Sequence, residues 1–338
     1  MIYLTGDINL TDNSFDVGYG VGSAIKRGIN PFHNIQKSEN DIWIGNFEGV
    51  TSYTSDCQGY RKNSFRIKPE YIKNLGLIDF WGVANNHVME HGVIAFHEME
   101  EILSLSSKGT FGSKRKHSAI FEHNGQTVSI TGFSLRNDQL NEKPQYWIFP
   151  NMDELRSEYE KIRTSDLKIA YVHWGVEFID YPNWEQRMIG HWLVDLGFDI
   201  IIGMHPHVLQ GYEKYKGKYI FYSLGNFVFN QGWENTKYGI VVKVESKKNV
   251  SFKYIKIQQD YAPKIIDKND VPHHLQLEEL NNKISKYENL EKYAICAQKG
   301  LASHRKYNHR SIVRNIFRND KLALIGILGD YIKRHLHI

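Results

Sequence analysis

Cysteine is nearly absent. The 338 residues contain two, Cys57 and Cys296. They lie far apart and match no metal or redox spacing, so two reduced thiols are expected and no disulfide framework. No run reaches the ~18 consecutive apolar residues of a membrane-spanning helix. The N-terminus passes from Met1 straight into the strand-like Ile2–Leu4, without the basic and apolar regions of a secretory leader, which predicts a cytoplasmic protein. Gly-x-x-x-x-Gly-Lys-Ser/Thr and Gly-x-Ser-x-Gly are missing, so neither a P-loop nor a serine nucleophile elbow has local support. Gly18-Tyr-Gly20 has Ser23 where a dinucleotide fingerprint needs glycine. No internal repeat is found.

A large charge excess is missing too. The net charge is +4, and it is uneven. From Leu301 to Ile338, eight Lys/Arg face only Asp320 and Asp330, giving +6 and leaving about −2 for the first 300 residues. Nucleic-acid binding is therefore not a property of the whole chain, and a basic tail follows a near-neutral body. An apolar content of 41% with 13% aromatics is that of a globular protein with a full core.

Short apolar strands alternate with amphipathic helices over roughly residues 1–230. Ile2–Gly6, Ile42–Asn46, Phe80–Ala84, Lys168–His173 and Asp199–Gly203 read as strands. Ala95, Met99, Ile102 and Leu103 form one helix stripe, and Met188, Ile189, Trp192, Leu193 and Leu196 another, with Gly197 at its end. Ile120–His123 and Thr127–Thr131 flank Asn124-Gly125 as a hairpin, and Gly217–Leu224 and Gly239–Ile257 add strand-like sequence. The prediction is an α/β fold of two sheets sandwiched between helices. Gly49–Lys68 is polar, and Tyr146-Trp-Ile-Phe149 within Leu135–Pro150 is a candidate cap over a cleft. The composition divides the chain into a body, 1–267, and a helical, basic extension, 268–338.

Polar groups gather where the strands run out. His205-Pro206-His207 follows Asp199–Gly203. An extended geometry there would turn both imidazoles to one side, as a transition metal requires. Asp7 and Asn9, Asn46 and Glu48, Asn86 and His87, and His173 occupy four other strand ends. In α/β folds such ends converge on one site.

As an ordered set, Gly6-Asp7, Asn46-Phe-Glu48, Phe65-Arg66, Ala84-Asn-Asn-His87, His173-Trp-Gly-Val-Glu177, Gly203-Met-His-Pro-His-Val-Leu-Gln-Gly211 and Tyr222-Ser-Leu-Gly-Asn-Phe227 resemble the poly-γ-glutamate capsule biosynthesis (CapA-type) family, a branch similar to calcineurin-like metallophosphoesterases. The resemblance implies a metallophosphoesterase-like β-sandwich flanked by helices, with two divalent transition metals, Mn, Fe or Zn. Asp7 and His207 would hold one metal, Asn86, His173 and His205 the other, and Glu48 would bridge them. His87 and Asn86 would be catalytic, His87 as the acid for the leaving group. Arg66, Arg61, Asn226 and Glu177 would meet the substrate, with Lys62 beside Arg61; for Glu177, Gln186, Glu213 and Asn226 the other reading is that they only orient metal ligands. Asp7-Ile-Asn9 departs from the usual Asp-x-His, so the first metal position loses one imidazole and keeps His207.

The function this implies is a metal-dependent phosphoesterase-like hydrolase of capsule or surface-polymer synthesis, acting on an anionic small molecule or polymer. A non-hydrolytic accessory protein that binds an anionic polymer for a partner is the alternative. In the tail, Arg310, Arg314 and Arg318 form one stripe, and Ile312, Val313, Ile316 and Phe317 another part of the same helix. Leu322–Leu328 follows as an apolar run between Lys321 and Lys333-Arg334. Such a segment suits peripheral contact with the inner face of a membrane. Packing on the body or on a second copy in a homodimer is the other reading.

Overall fold

In the computed structural model, the described residues are 1–73, 75–137, 143–284 and 290–336; for 290, 330, 331 and 333–336 only the backbone is described. Strand β1 (Ile2–Ile8) shows how the core is built. Ile2 and Leu4 face a second sheet, whereas Tyr3 turns the other way and stacks on Trp43 at 4.4 Å. β1 runs parallel to β2 (Ile42–Phe47), which carries the chain on through the polar segment containing β3 (Val50–Thr51) and β4 (Arg66–Ile67). These two short strands pair with each other apart from the main sheets.

β5 (Phe80–Gly82) and β6 (Gly109–Phe111) extend the first sheet in parallel, joined by a helix, Gly92–Ser106. The hairpin of β7 (Ser118–His123) and β8 (Gln126–Ser134) opens the second sheet. β9 (Leu167–His173) and β10 (Ile200–Met204) follow in parallel, then β11 (Tyr212–Tyr215) and β12 (Lys218–Phe221). The chain then returns to the first sheet with β13 (Asn226–Val228) parallel to β1, β14 (Tyr238–Ser246) antiparallel to it, and β15 (Asn249–Ile257) and β16 (Pro263–Ile266) beyond. Gly239–Ile257 is thus a hairpin, turning at Lys247-Lys248, and Gly217–Leu224 contributes only its middle to a strand.

Four layers result, and the fold is the expected α/β sandwich. Leu4, Ile44, Ile169, Ile202 and Val242 fill the space between the sheets. The helix Gly92–Ser106 covers the outer face of the first sheet through Ala95, Phe96, Met99 and Leu103. Two helices, Met152–Ile162 and Trp184–Leu196, cover the second through Leu155, Ile162, Leu193 and Val194. Asn151 and Asn183 each close a capping box, and Gly197 ends the latter helix at φ +129°, where a side chain would be strained. Tyr146 and Trp147 correct the expected cap. Both are buried, Trp147 lies flat on His117 at 3.9 Å, and the segment bridges Ser113 and Ser134 instead of hovering over a cleft. Residues 138–142 of that segment lie outside the described ones.

Beyond residue 267 the chain stays in contact with the body. A helix Leu277–Ile284 buries Leu277 and Leu280 in the central core, and Asn281 accepts the Tyr212 N–H at 2.7 Å. The long helix Leu290–Arg314 is docked at Gly300 against Phe178 and at Tyr307 against Gly232, and Tyr19 Oη contacts Ser311 Oγ at 3.2 Å. It ends at Arg314, so Ile316, Phe317 and Arg318 are not on it. Asn319 donates to the carbonyls of Ile312 and Asn315, and Asp320 accepts from the N–H groups of Leu322 and Ala323, starting the last helix, Lys321–Leu336. Among the described residues no helix is long and apolar enough to cross a membrane.

Candidate metal centre

The site forms because the inward-facing position of several strands changes from apolar to polar at the strand end. Ile42 and Ile44 are succeeded by Asn46, and Ile169 and Tyr171 by His173. Asn46 is buried and donates to Asp7 Oδ1 at 2.8 Å, while its own oxygen accepts Asn85 Nδ2 at 3.0 Å. Asn85 also donates to the Phe47 carbonyl, which fixes the turn carrying Asn86 and His87. Asn46 and Asn85 therefore orient the ligand shell.

Asp7 ties the two sheets together. Its Oδ2 accepts the main-chain N–H of His205 at 3.0 Å and lies 3.5 Å from His207 Nδ1. Past Met204 the backbone is not extended, contrary to the expectation for His205-Pro-His207. His205 has φ +93° and His207 φ +57°. Such values cost about 1–3 kcal/mol each for residues with a side chain. Here the Asp7 bond and the Phe178 N–H, which donates to the Pro206 carbonyl at 2.8 Å, over-determine the turn.

Two ligand groups emerge. The donor atoms of Asp7, Glu48 and His173 lie within 4.8 Å of one another, as do those of Glu177, His205 and His207. The expected pairs are adjacent as well, Asp7 Oδ2 lying 3.5 Å from His207 Nδ1 and the His173 and His205 rings 4.7 Å apart, and Glu177 stands beside His205 and His207. Glu48 lies between the groups, 3.4 Å from His207 Nε2 and 3.5 Å from His87 Nε2. Asn86 Oδ1 contacts His173 Nε2 at 2.8 Å.

The residues fit divalent cations. Both carboxylate oxygens of Glu48 and both ring nitrogens of His205 are buried without a hydrogen-bond partner, a large cost unless a ligand compensates it. Burial, then Asp7 and further carboxylates, holds the Glu48 carboxyl well above its ordinary range. Burial, then neighbouring histidines and Arg136, holds His173 and His205 well below theirs. Protonated carboxyl and neutral imidazole are the forms these groups take when no cation is near. A mixed set of oxygen and nitrogen donors suits Mn, Fe or Zn.

His87 lies on Phe65, ring centroids 4.1 Å apart and planes 6° from parallel, with Nδ1 bonded to Glu90. Asn226 stands where it can orient His207, one of the two roles expected of it. It is buried, its Oδ1 meets His207 Nδ1 at 2.9 Å, and its Nδ2 donates to Gln231 and the Thr236 carbonyl. Arg66 has partners in its own loop. Its Nε donates to the Lys62 carbonyl and its Nη1 to those of Ser52 and Tyr53, so it braces the polar loop. Arg61 and Lys62 are exposed on a 3₁₀ turn of that loop. Gln186 closes a helix cap, and Glu213 accepts from Tyr222 and pairs with His191. Asn9 turns into a loop network with Thr11 and Asn13.

Arg136 went unread in the sequence. It follows β8, whose Ser134 is in register with His173, and its Nε is buried without a partner. It is a further strand-end residue, and that is the signal that could have found it.

Residues 1–231 match the family of bacterial capsule synthesis proteins, PGA_cap. The chain belongs to that family. The PGA biosynthesis protein CapA of Bacillus subtilis (strain 168) is 32% identical over 230 residues, covering 62% of this chain and 59% of the relative. The capsule biosynthesis protein CapA of Bacillus anthracis is 32% identical over 231 residues, covering 62% and 56%. The chain thus spans somewhat over half the length of these relatives. Among solved structures, a 5'-nucleotidase from Candida albicans SC5314 has TM-score 0.46 and 14% identity, covering 91% of this chain and 58% of that one. A putative 5'-nucleotidase from Staphylococcus aureus has TM-score 0.42 and 14% identity, covering 83% and 58%. The helix Leu290–Arg314 lies beyond the family match.

Proposed function

We propose that this member of the capsule synthesis family is a metal-dependent phosphoesterase-like hydrolase acting on a phosphorylated or otherwise anionic substrate. The observation that carries the reading is the set of unpartnered buried donors at Glu48 and His205, enclosed by Asp7, His173, His207 and Glu177. Asp7, Glu48 and His173 would hold one cation and Glu177, His205 and His207 a second. Bound there, the cations would supply positive charge opposite phosphoryl oxygens and acidify water.

The chain's own residues supply orientation and a proton. Asn226 engages His207 Nδ1, leaving Nε2 directed at Glu48. Asn46 holds Asp7. Glu90 engages His87 Nδ1 and Phe65 fixes its ring plane, so Nε2 is the atom from which a proton passes to a leaving oxygen. Sugar phosphates, nucleotides and phosphodiesters, offered to protein loaded with Mn, Fe or Zn, test the reading. Release of phosphate or cleavage of a diester, abolished by chelator, is expected.

The alternative is a non-hydrolytic protein that uses this centre to bind an anionic polymer for a capsule-synthesis partner. It is favoured by Asn9, which turns into its own loop and supplies no imidazole to the centre. No turnover of any phosphate ester at full metal occupancy would establish it.

A further inference from the structure

The tail beyond Ser311 turns apolar side chains outward although its backbone is held in place. The Asp320 N–H donates to the Val17 carbonyl at 3.0 Å, Asn319 is buried, and Ala323 is fully buried. Tyr60 lies so close to Gly326 that a side chain there would collide with its ring. These contacts dock one side of the last helix. On the other side Leu322, Ile325, Leu328 and Ile332 are exposed, spaced as one stripe of an α-helix. Just before them Val313 and Ile316 are exposed and Phe317 is wholly in solvent. Packing on the body therefore does not account for this stripe.

The cations beside it are unspent. Arg310, Arg314, Arg318 and Lys321 are all exposed, and among the described residues none of them forms an ion pair. Two exposed arginines of the body, Arg156 and Arg163, do pair, with Asp153 and Glu160. Exposed aliphatic and aromatic groups interleaved with unpaired positive charge are complementary to one surface in particular, an apolar layer beneath anionic headgroups. A protein partner of ordinary composition would match the apolar part without needing so many free cations.

We propose that the segment from Arg310 to Ile332 is an interfacial membrane-binding element that seats on anionic lipid. Phe317 and the stripe Leu322, Ile325, Leu328 and Ile332 enter the interface, and Arg310, Arg314, Arg318 and Lys321 meet the headgroups. The proposal is independent of the chemistry at the metal centre.

The test uses the full chain and vesicles of phosphatidylcholine, alone or with phosphatidylglycerol at roughly 2:1, in co-sedimentation over a salt series. Binding is expected to the anionic vesicles at low salt, to fall as salt rises, and to be weak on phosphatidylcholine alone. Replacing two cations, Arg314→Gln with Arg318→Gln, should lower partitioning about 25-fold, roughly fivefold for each charge. Phe317→Ser with Ile325→Ser should also lower it while leaving the melting temperature unchanged, because neither side chain is packed. Failure of the wild-type protein to bind anionic vesicles at low salt would overturn the proposal. So would a dimer in sedimentation velocity that dissociates with Phe317→Ser and does not bind vesicles, which would make a second copy the occupant.

Discussion

The main-chain N–H of His205 donates to Asp7 Oδ2 at 3.0 Å across 198 residues of sequence. This bond joins the turn after β10 in one sheet to the end of β1 in the other. It makes the candidate metal centre part of the sheet–sheet contact, so any metal bound there should be coupled to the stability of the sandwich.

Glu48→Gln should therefore change stability in opposite directions with and without metal. In chelator it removes a buried carboxyl that burial and Asp7 hold well above its ordinary range, and the melting temperature should rise by a few degrees, ~2–4 °C per kcal/mol. With metal at about a hundredfold over its dissociation constant, the wild type should gain ~2.7 kcal/mol that the variant does not. Thermal scans in both conditions check this.

His87→Ala should leave metal content intact and lower the rate by about 10²–10⁴-fold on any substrate the protein turns over. Glu90→Gln should cost less, because it loosens the orientation of the His87 ring without removing its proton-carrying nitrogen. Steady-state rates with metal analysis of the same preparations separate these effects.

Arg66→Lys should lower stability by about 1–2 kcal/mol, since a lysine cannot replace donors spread over the carbonyls of Lys62, Ser52 and Tyr53. Substrate saturation should be nearly unchanged. Urea unfolding and a substrate titration decide between this bracing role and substrate binding.

Much of the framework was legible in the sequence. The alternation of apolar strands and one-faced helices gave the layers, and the strand ends at Asp7, Glu48, Asn86, His173, His205 and His207 do come together in the fold. The positive-φ turn at His205 and His207 was not, because a strand reading cannot show it. Arg66 and Asn226 have the chemistry of substrate contacts, yet their partners lie in the surrounding fold and only the structure reveals them. The end of the long helix at Arg314 was also hidden, since its cause is a set of side-chain bonds from Asn319 and Asp320.

Glu158 should contribute to acid sensitivity. Burial alone would raise its carboxyl, but hydrogen bonds from His117, Lys161 and Ser118 outweigh that and bring it down to about 2. A depressed carboxyl stabilises the fold above its unfolded value near 4.5, and that contribution is lost as the pH falls from there toward 2. Allowing for solvent screening, Glu158→Gln should cost ~1–2 kcal/mol at neutral pH and nothing near pH 2. Urea unfolding across that pH range, wild type against variant, reads the difference directly.

The central claim is that buried Glu48 and His205 lack partners because they hold cations. Metal content of the purified full chain after loading with Mn, Fe or Zn and removal of free metal, measured beside His205→Ala and Glu48→Gln, tests it most directly. The account predicts two equivalents in the wild type and a loss in each variant. Wild-type metal content in both variants, or no bound metal in the wild type, would contradict it.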